Sequence, residues 1–218
     1  MSLIPKVLAL VKATHFGPTL IVASATFILA QTEFSNAASF EITLAIVAGQ
    51  CVVGWSNDLI DFPLDSSAAR KNKPLVAGTI SKESLAVAIP TALVLAILLS
   101  YFGPLGFKGT MIHLIGIASA SLYNLGLKST LISVVPYAIS FGLLPWAIYV
   151  AADKRVPAWI YLGFMLFACA FHFLNVVKDM ESDRLLNIAG LPQRLGKSGS
   201  LLAALLLVGL GCWDILAR

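Results

Sequence analysis

The stretch Asn57-Asp58-Leu59-Ile60-Asp61-Phe62-Pro63-Leu64-Asp65 ends a long apolar run in a chain that is otherwise poor in charge. A second stretch, Asn175-Val176-Val177-Lys178-Asp179-Met180-Glu181-Ser182-Asp183, repeats its N-x3-D-x3-D spacing and also follows an apolar run. A helix places positions i, i+4 and i+8 along one face, so each stretch aligns an amide with two carboxylates. One copy alone would also fit a solvated helix end. Two facing copies form a cage of hard oxygen ligands, which suits Mg²⁺ that holds a substrate phosphate.

The composition is that of an integral membrane protein. Of the 218 residues, 58% are hydrophobic and 12% are charged, whereas about a quarter of a soluble domain is charged. The mean hydropathy is +0.88. We therefore predict an all-α fold, a multi-pass bundle of about seven transmembrane helices around a central apolar chamber, in a single domain over residues 1–218. The net charge of +4 does not indicate nucleic-acid binding, because the basic residues fall in short loops between the spans.

The apolar runs predict where the spans lie. Their approximate bounds are 15–30, 40–55, 84–102, 109–122, 131–151, 158–177 and 201–213. The segment 1–14 is expected to lie on the membrane surface as a short amphipathic lead-in. The longest polar connection is predicted over 57–83, and a further polar loop over 184–200. Pro136 and Pro145 are expected to interrupt the fifth span.

The basic residues predict the orientation of the chain in the membrane. With the N-terminus in the cytoplasm, most of the 15 basic residues lie on the cytoplasmic side. Those left on the outer side are Lys108, Lys154, Arg155 and Arg218. Both acidic stretches then reach the cytoplasmic face, and in a prokaryote the membrane is expected to be the plasma (inner) membrane.

Basic and phenolic side chains near the acidic stretches indicate what a bound metal would hold. Arg70 and Lys73 follow the first stretch, Arg184 follows the second, and Tyr123 and Lys128 follow the fourth span. Carboxylate-bound Mg²⁺ together with Arg and Lys donors forms a clamp for a diphosphate. An apolar chamber beside that clamp favours ionisation of an isoprenyl diphosphate. A second apolar molecule would then capture the allylic carbocation, sheltered from water.

These motifs resemble those of the UbiA superfamily of intramembrane prenyltransferases. The residues that match the NDxxDxxxD motif are Asn57, Asp58, Asp61 and Asp65. Those that match the DxxxD motif are Asp179 and Asp183. Segment 65–75 is similar to the basic, Pro-containing segment after the first motif, and segment 123–128 is similar to the Tyr/Lys element of the family. The motifs follow spans two, four and six, as in the family, and the resemblance covers nearly the whole chain.

The resemblance implies Mg²⁺ as cofactor, an isoprenyl diphosphate as donor and a lipophilic acceptor within the membrane lipid. Together, the spacing and the resemblance predict as metal ligands Asn57, Asp58, Asp61, Asp65, Asn175, Asp179 and Asp183. The residues predicted to contact the diphosphate are Arg70, Lys73, Tyr123, Lys128, Arg184 and Lys12. The residues predicted to take part in the chemical step are Asp61, Asp65, Asp179, Asp183 and Lys128. Family members usually have nine spans, so a seven-span chamber would be open on one side or closed by a second copy in a homo-oligomer.

Several alternatives stay open from the sequence alone. A terpene cyclase of the same family would capture the cation internally. A cation- or proton-coupled transporter would also use intramembrane carboxylates, although transporters place them near the midplane. An inactive homologue would only bind a prenyl lipid. The acceptor is open between a quinone-precursor ring, a tetrapyrrole and a lipid alcohol, and His15, His113 and His172 are either acid/base groups or packed residues.

Overall fold

The computed structural model describes residues 3–185 and 188–217, and in these ranges the chain forms helices and no strands. The α-helices, in chain order, are α1 Leu3–Ala13, α2 Phe16–Ala30, α3 Asn36–Ser67, α4 Lys82–Phe102, α5 Gly106–Leu125, α6 Val135–Ala151, α7 Ala158–Leu185 and α8 Leu191–Leu216. A short 3₁₀ turn at Leu127–Ser129 lies between α5 and α6. The predicted all-α fold is confirmed.

Several helices are suited to cross a membrane. Among the described residues, 4 helices are each long and apolar enough, namely α3, α4, α7 over Ala158–Glu181 and α8. The pair Ile4–Ala13 and Phe16–Ala30 passes the same test together, with a bend of 73° between its halves. The helix α6 is apolar but shorter. The chain is therefore an integral, multi-pass membrane protein, for which the predicted number of about seven spans is approximate.

Both acidic stretches lie inside helices. The helix α3 continues to Ser67, so the prediction of a polar connection over 57–83 is wrong for its first part. In the same way, α7 carries the second stretch and continues to Leu185. A hydropathy criterion ends a span where charge begins. The helix α3 persists beyond that point because Asp58 and Asp65 are buried and paired with cations.

Two further expectations about helix breaks are wrong. Pro136 lies in the first turn of α6, where a proline removes no helical hydrogen bond, so it does not interrupt the span. Pro145 is inside α6 and buried. The predicted polar loop over 184–200 is largely helical, because α8 already begins at Leu191. Within α8, Gly196 departs from helical geometry, with a φ of 68° that glycine adopts without strain.

The end of the bundle opposite the acidic stretches is closed by a large apolar cluster. Val22 of α2, Ile42 of α3 and Ile148 of α6 are among its buried members. Beyond this cluster, Lys154 Nζ lies 2.5 Å from Glu33 Oε2 and joins the α6–α7 connection to the α2–α3 turn. We call this the sealed end, and we call the end that carries the acidic stretches the motif end.

The helix α1 lies against α3 near the motif end. Trp55 Nε1 donates a hydrogen bond to the carbonyl of Leu10 at 2.9 Å. The backbone of Thr14 approaches Gly54 so closely that a Cβ there would lie 2.7 Å from the Thr14 carbonyl oxygen. The turn into α2 is made by His15 with a φ of 58°, a left-handed conformation that is uncommon outside glycine. These contacts fix the position of His15 beside α3.

Candidate active site

A cavity of about 1030 Å³ lies between α2, α3, α5, α6 and α7. Toward the sealed end, its wall is apolar, with Val22, Ile46, Leu144 and Phe164 among the lining residues. At the motif end, the lining residues that the sequence predicted are Asn57, Asp61, Arg70, Lys73, Tyr123, Lys128, Asn175, Asp179 and Asp183. The fold therefore brings most of the predicted site residues to one space that is charged at one end and apolar at the other.

The first motif presents Asn57 and Asp61 to the cavity. They lie one turn apart on α3, and Asn57 Nδ2 donates to Asp61 Oδ2 at 3.0 Å. The same nitrogen donates to Asn124 Oδ1 at 3.2 Å, and Asn124 donates in turn to the carbonyl of Val53 at 2.9 Å. Lys128 Nζ contacts Asp61 Oδ1. Because the amide nitrogen of Asn57 is used within the protein, its oxygen is the group that a ligand can use.

Asp58 and Asp65 are buried and do not line the cavity. Asp58 Oδ1 lies 2.5 Å from Lys73 Nζ. Asp65 Oδ1 lies 3.1 Å from Arg70 Nη1, and a longer distance of 3.7 Å separates Asp65 from Lys73. These carboxylates therefore hold two of the cations that line the cavity, Arg70 and Lys73. Their role as metal ligands stays a prediction.

The second motif lines the same cavity through Asn175, Asp179 and Asp183, one turn apart along α7. Asp183 Oδ2 accepts a hydrogen bond from Gln193 Nε2 at 2.8 Å, and Asp183 Oδ1 lies 3.6 Å from Arg70 Nη2. Burial raises the pKa of Asp183, whereas the hydrogen bond from Gln193 acts in the opposite direction. Since Arg70 also contacts the first motif, its guanidinium links the two.

An aromatic wall joins α5 to α6 beside the motifs. Tyr123 and Tyr137 meet edge to face with their ring centroids 5.2 Å apart, and Tyr137 stacks on Phe141 at 6.3 Å. All three line the cavity. His172 packs 4.4 Å from the Tyr137 ring, and neither of its ring nitrogens has a hydrogen-bond partner among the described residues. Aromatic faces of this kind stabilise a nearby positive charge.

Two predicted diphosphate contacts lie outside the cavity lining. Lys12 is exposed on α1, whose buried side, with Ala9, faces the bundle. Arg184 follows Asp183 on α7 and is exposed. Together with Arg194, it borders a separate recess of about 500 Å³. The predicted contact of these two cations with a diphosphate has no support from this arrangement.

Other residues join the site although no motif singled them out. His15 lines the cavity, and its Nε2 lies 3.2 Å from Asp58 Oδ1. Asn124 orients Asn57, and its position directly after Tyr123 was the only signal available in the sequence. Gln193 comes from α8, which no local pattern connects with the second motif.

The donors at the motif end suit Mg²⁺. Carboxylate and amide oxygens are hard ligands, and the motif residues that bring them to the cavity are Asn57, Asp61, Asn175, Asp179 and Asp183. Within 3–185 and 188–217, no three His, Cys, Asp or Glu side chains lie close enough together to hold one ion. Mg²⁺ is usually bound by one or two carboxylates, with substrate phosphates completing its coordination, so the carboxylates that line the motif end suit it.

Comparison with known proteins gives the family and the fold. The model of the UbiA prenyltransferase family matches residues 18–217. No curated protein matches the chain significantly. The fold is similar to a UbiA homolog from Archaeoglobus fulgidus bound to GPP and Mg²⁺, with 17% identity, a TM-score of 0.81 and coverage of 96% of this chain and 78% of that chain.

Two further solved structures have the same fold. The Archaeoglobus fulgidus homolog bound to DMAPP and Mg²⁺ gives 16% identity and a TM-score of 0.80 over 96% of this chain and 78% of that one. The apo structure of a UbiA homolog from Aeropyrum pernix K1 gives 18% identity and a TM-score of 0.74 over 100% of this chain and 79% of that one. At these identities the likeness concerns the fold.

Proposed function

This chain belongs to the UbiA prenyltransferase family, and from that premise we propose that it transfers an isoprenyl group from a prenyl diphosphate to a lipophilic acceptor within the membrane. One observation carries the proposal: the acidic motifs and the cations Arg70, Lys73 and Lys128 line one end of a cavity whose other end is apolar. The charged end suits a diphosphate, and the apolar end suits a hydrocarbon chain. The relatives from Archaeoglobus fulgidus bound to GPP or DMAPP with Mg²⁺ support this donor class and this cofactor.

The oxygen donors at the motif end would hold Mg²⁺. When bound, the ion supplies positive charge that stabilises the diphosphate as a leaving group. The candidates for its ligands are Asn57, Asp61, Asn175, Asp179 and Asp183, of which one or two carboxylates would bind the ion together with oxygens of the diphosphate. All of them line the cavity, and three of them are carboxylates.

The cations at the motif end bind the diphosphate directly. Arg70, Lys73 and Lys128 donate to its oxygens as negative charge develops during cleavage of the bond between C1 and the bridging oxygen. Each cation is positioned beforehand by a carboxylate: Asp65 holds Arg70, Asp58 holds Lys73, and Lys128 contacts Asp61. Preorganised donors stabilise the departing charge more strongly than mobile ones, since they do not reorient during the reaction.

The allylic cation that remains forms beside the aromatic wall. Tyr123, Tyr137 and Phe141 present their rings to the cavity, and the apolar lining excludes water from the cation. A nucleophilic atom of the acceptor then bonds to C1, and the acceptor loses a proton. We also propose that the motif end faces the cytoplasm, because most basic loop residues lie at that end.

The test is Mg²⁺-dependent release of diphosphate from GPP by the purified chain in lipid. We expect Asp61→Asn and Asp179→Asn each to reduce release about a hundredfold or more, since each removes a charge from the site. Asp153→Asn is the matched control: it makes the same chemical change at an exposed residue near the sealed end, with a φ of 52° that Asn tolerates. Release that persists without Mg²⁺ or in both site variants contradicts the proposal, and a cyclic product formed without acceptor indicates a cyclase.

A further inference from the structure

A second polar patch lies in the same cavity, away from the motif end. It consists of Gln50 on α3 and His113 on α5, and both line the cavity. Gln50 is two helical turns before Asn57, which at 1.5 Å per residue places it about 10 Å closer to the sealed end. The lining around the patch is apolar and includes Ile46 and Ile117. Polar groups at such a depth in a membrane protein are costly and therefore indicate function.

The ring of His113 is fixed by two neighbouring helices. Its Nδ1 lies 2.9 Å from Oγ of Ser100 on α4, a fully buried hydroxyl. On the other side, the ring packs against α3 at Gly49, where a Cβ would lie 2.6 Å from Nε2. The position of the imidazole is therefore set before any ligand binds. Gln50 follows Gly49 directly and therefore lies at the same depth of the bundle, and its side chain lines the same cavity as His113.

Apart from the Nδ1 atom that contacts Ser100, the polar atoms of the patch are Nε2 of His113 and the side-chain amide of Gln50. Neither makes a hydrogen bond to another residue in the described part of the chain. The bond to Ser100 accounts for Nδ1 and ties α4 to α5, but it does not account for Gln50. An amide in an apolar wall has a donor and an acceptor, and leaving both unpaired is unfavourable once a ligand excludes water.

We propose that Gln50 and His113 form a binding subsite for a hydroxyl or carbonyl group on an otherwise apolar ligand. Both side chains recognise hydrogen-bonding groups, and the surrounding wall admits hydrocarbon. A diphosphate belongs with the cations at the motif end, about 10 Å away. An isoprenyl tail has no polar group for the patch. The ligand of this subsite is therefore the acceptor, an identification that rests on the proposed function. The rest of the acceptor lies between the patch and C1 of the donor.

The test is equilibrium binding of 1-naphthol and of naphthalene to the full chain in lipid nanodiscs, without donor. The two probes differ by one hydroxyl, and empty nanodiscs give their preference for lipid alone. We expect the ratio of the affinities for 1-naphthol and naphthalene to be about tenfold higher with the chain than with empty nanodiscs. We expect Gln50→Leu to bring this ratio back to that of empty nanodiscs. Ser140→Ala is the matched control, because Ser140 lines the same cavity but already donates to the Gly116 carbonyl at 3.0 Å.

The variants are chosen so that folding does not obscure the result. Gln50 makes no hydrogen bond to a described residue, so Gln50→Leu is expected to elute as a folded protein. His113→Leu is the second variant, and if loss of the Ser100 bond unfolds it, Gln50→Leu decides alone. An unmodified chain without the preference, a preference that survives in folded Gln50→Leu, or an equal loss in Ser140→Ala each overturns the subsite.

Binding of GPP with Mg²⁺ to the same preparations separates this inference from the proposed function. A chain that binds GPP but does not prefer 1-naphthol overturns the subsite alone. A chain that prefers 1-naphthol but does not bind GPP supports the subsite and overturns the proposed donor.

Discussion

Replacement of Asp58 by Asn separates two roles for this carboxylate. The spacing of the first motif predicts a metal ligand. The side chain is 2% exposed, however, and its Oδ1 lies 2.5 Å from Lys73 Nζ, outside the cavity lining. We therefore expect Asp58→Asn to weaken donor binding by releasing Lys73, and to leave the requirement for Mg²⁺ unchanged.

The size of the effect follows from the surroundings of Lys73. Removal of one partner from a buried ion pair costs about 3–5 kcal/mol when the remaining charge is uncompensated. Here the Lys73 side chain is 18% exposed and keeps Asp65 at 3.7 Å, so the cost falls to about 1–3 kcal/mol, the range of one hydrogen bond to a charged group. If the whole of this loss appears in donor binding, KM for the donor rises about 5- to 150-fold.

The assay is diphosphate release from GPP, titrated with Mg²⁺ and with donor, for Asp58→Asn and Asp61→Asn in parallel. Asp61 lines the cavity, so Asp61→Asn is expected to raise the Mg²⁺ concentration needed for half-maximal release. Thermal unfolding of both variants checks that they are folded. An equal rise in the Mg²⁺ requirement for both would identify Asp58 as a metal ligand and refute the reasoning from burial.

Two further predictions concern the stability of the bundle. Gly54→Ala is expected to lower the free energy of unfolding by about 1–3 kcal/mol, because the new methyl group meets the Thr14 backbone, which cannot rotate away. Gly17→Ala, with nothing within 4 Å, is the control, and equal melting temperatures would contradict the clash. The hydrogen bond with Glu33 raises the pKa of Lys154 above 10.5, so the ion pair contributes stability below that pH and loses it as the pH rises through the raised pKa. The melting temperature of Glu33→Gln should therefore fall below that of the unmodified chain at neutral pH and approach it in strong alkali, whereas a difference that is independent of pH would contradict the assignment.

The bounds of the helices show where sequence reasoning stopped. Apolar runs located α2 to α8, because hydropathy is a local property. They ended the second span early, however, near residue 55, and assigned the first motif to the polar connection that follows, although its spacing is that of one helical face. The helix α3 continues because Asp58 and Asp65 find cations in the following connection. That pairing involves residues outside the helix, so no helical pattern within 36–67 reports it.

The sequence by itself determined the helical membrane class, the two acidic motifs and the family, since these depend on composition and short spacing. Tertiary structure alone decided which motif residues face the cavity. Asp65 and Asp183 hold the same place in the same pattern, yet Asp65 is buried against Arg70 while Asp183 lines the cavity and meets Gln193 of α8. The polar patch of Gln50 likewise exists only where α3 meets α5. Such contacts join residues that are distant in the chain, and the direction of a side chain within a bundle is set by its neighbours rather than by local periodicity.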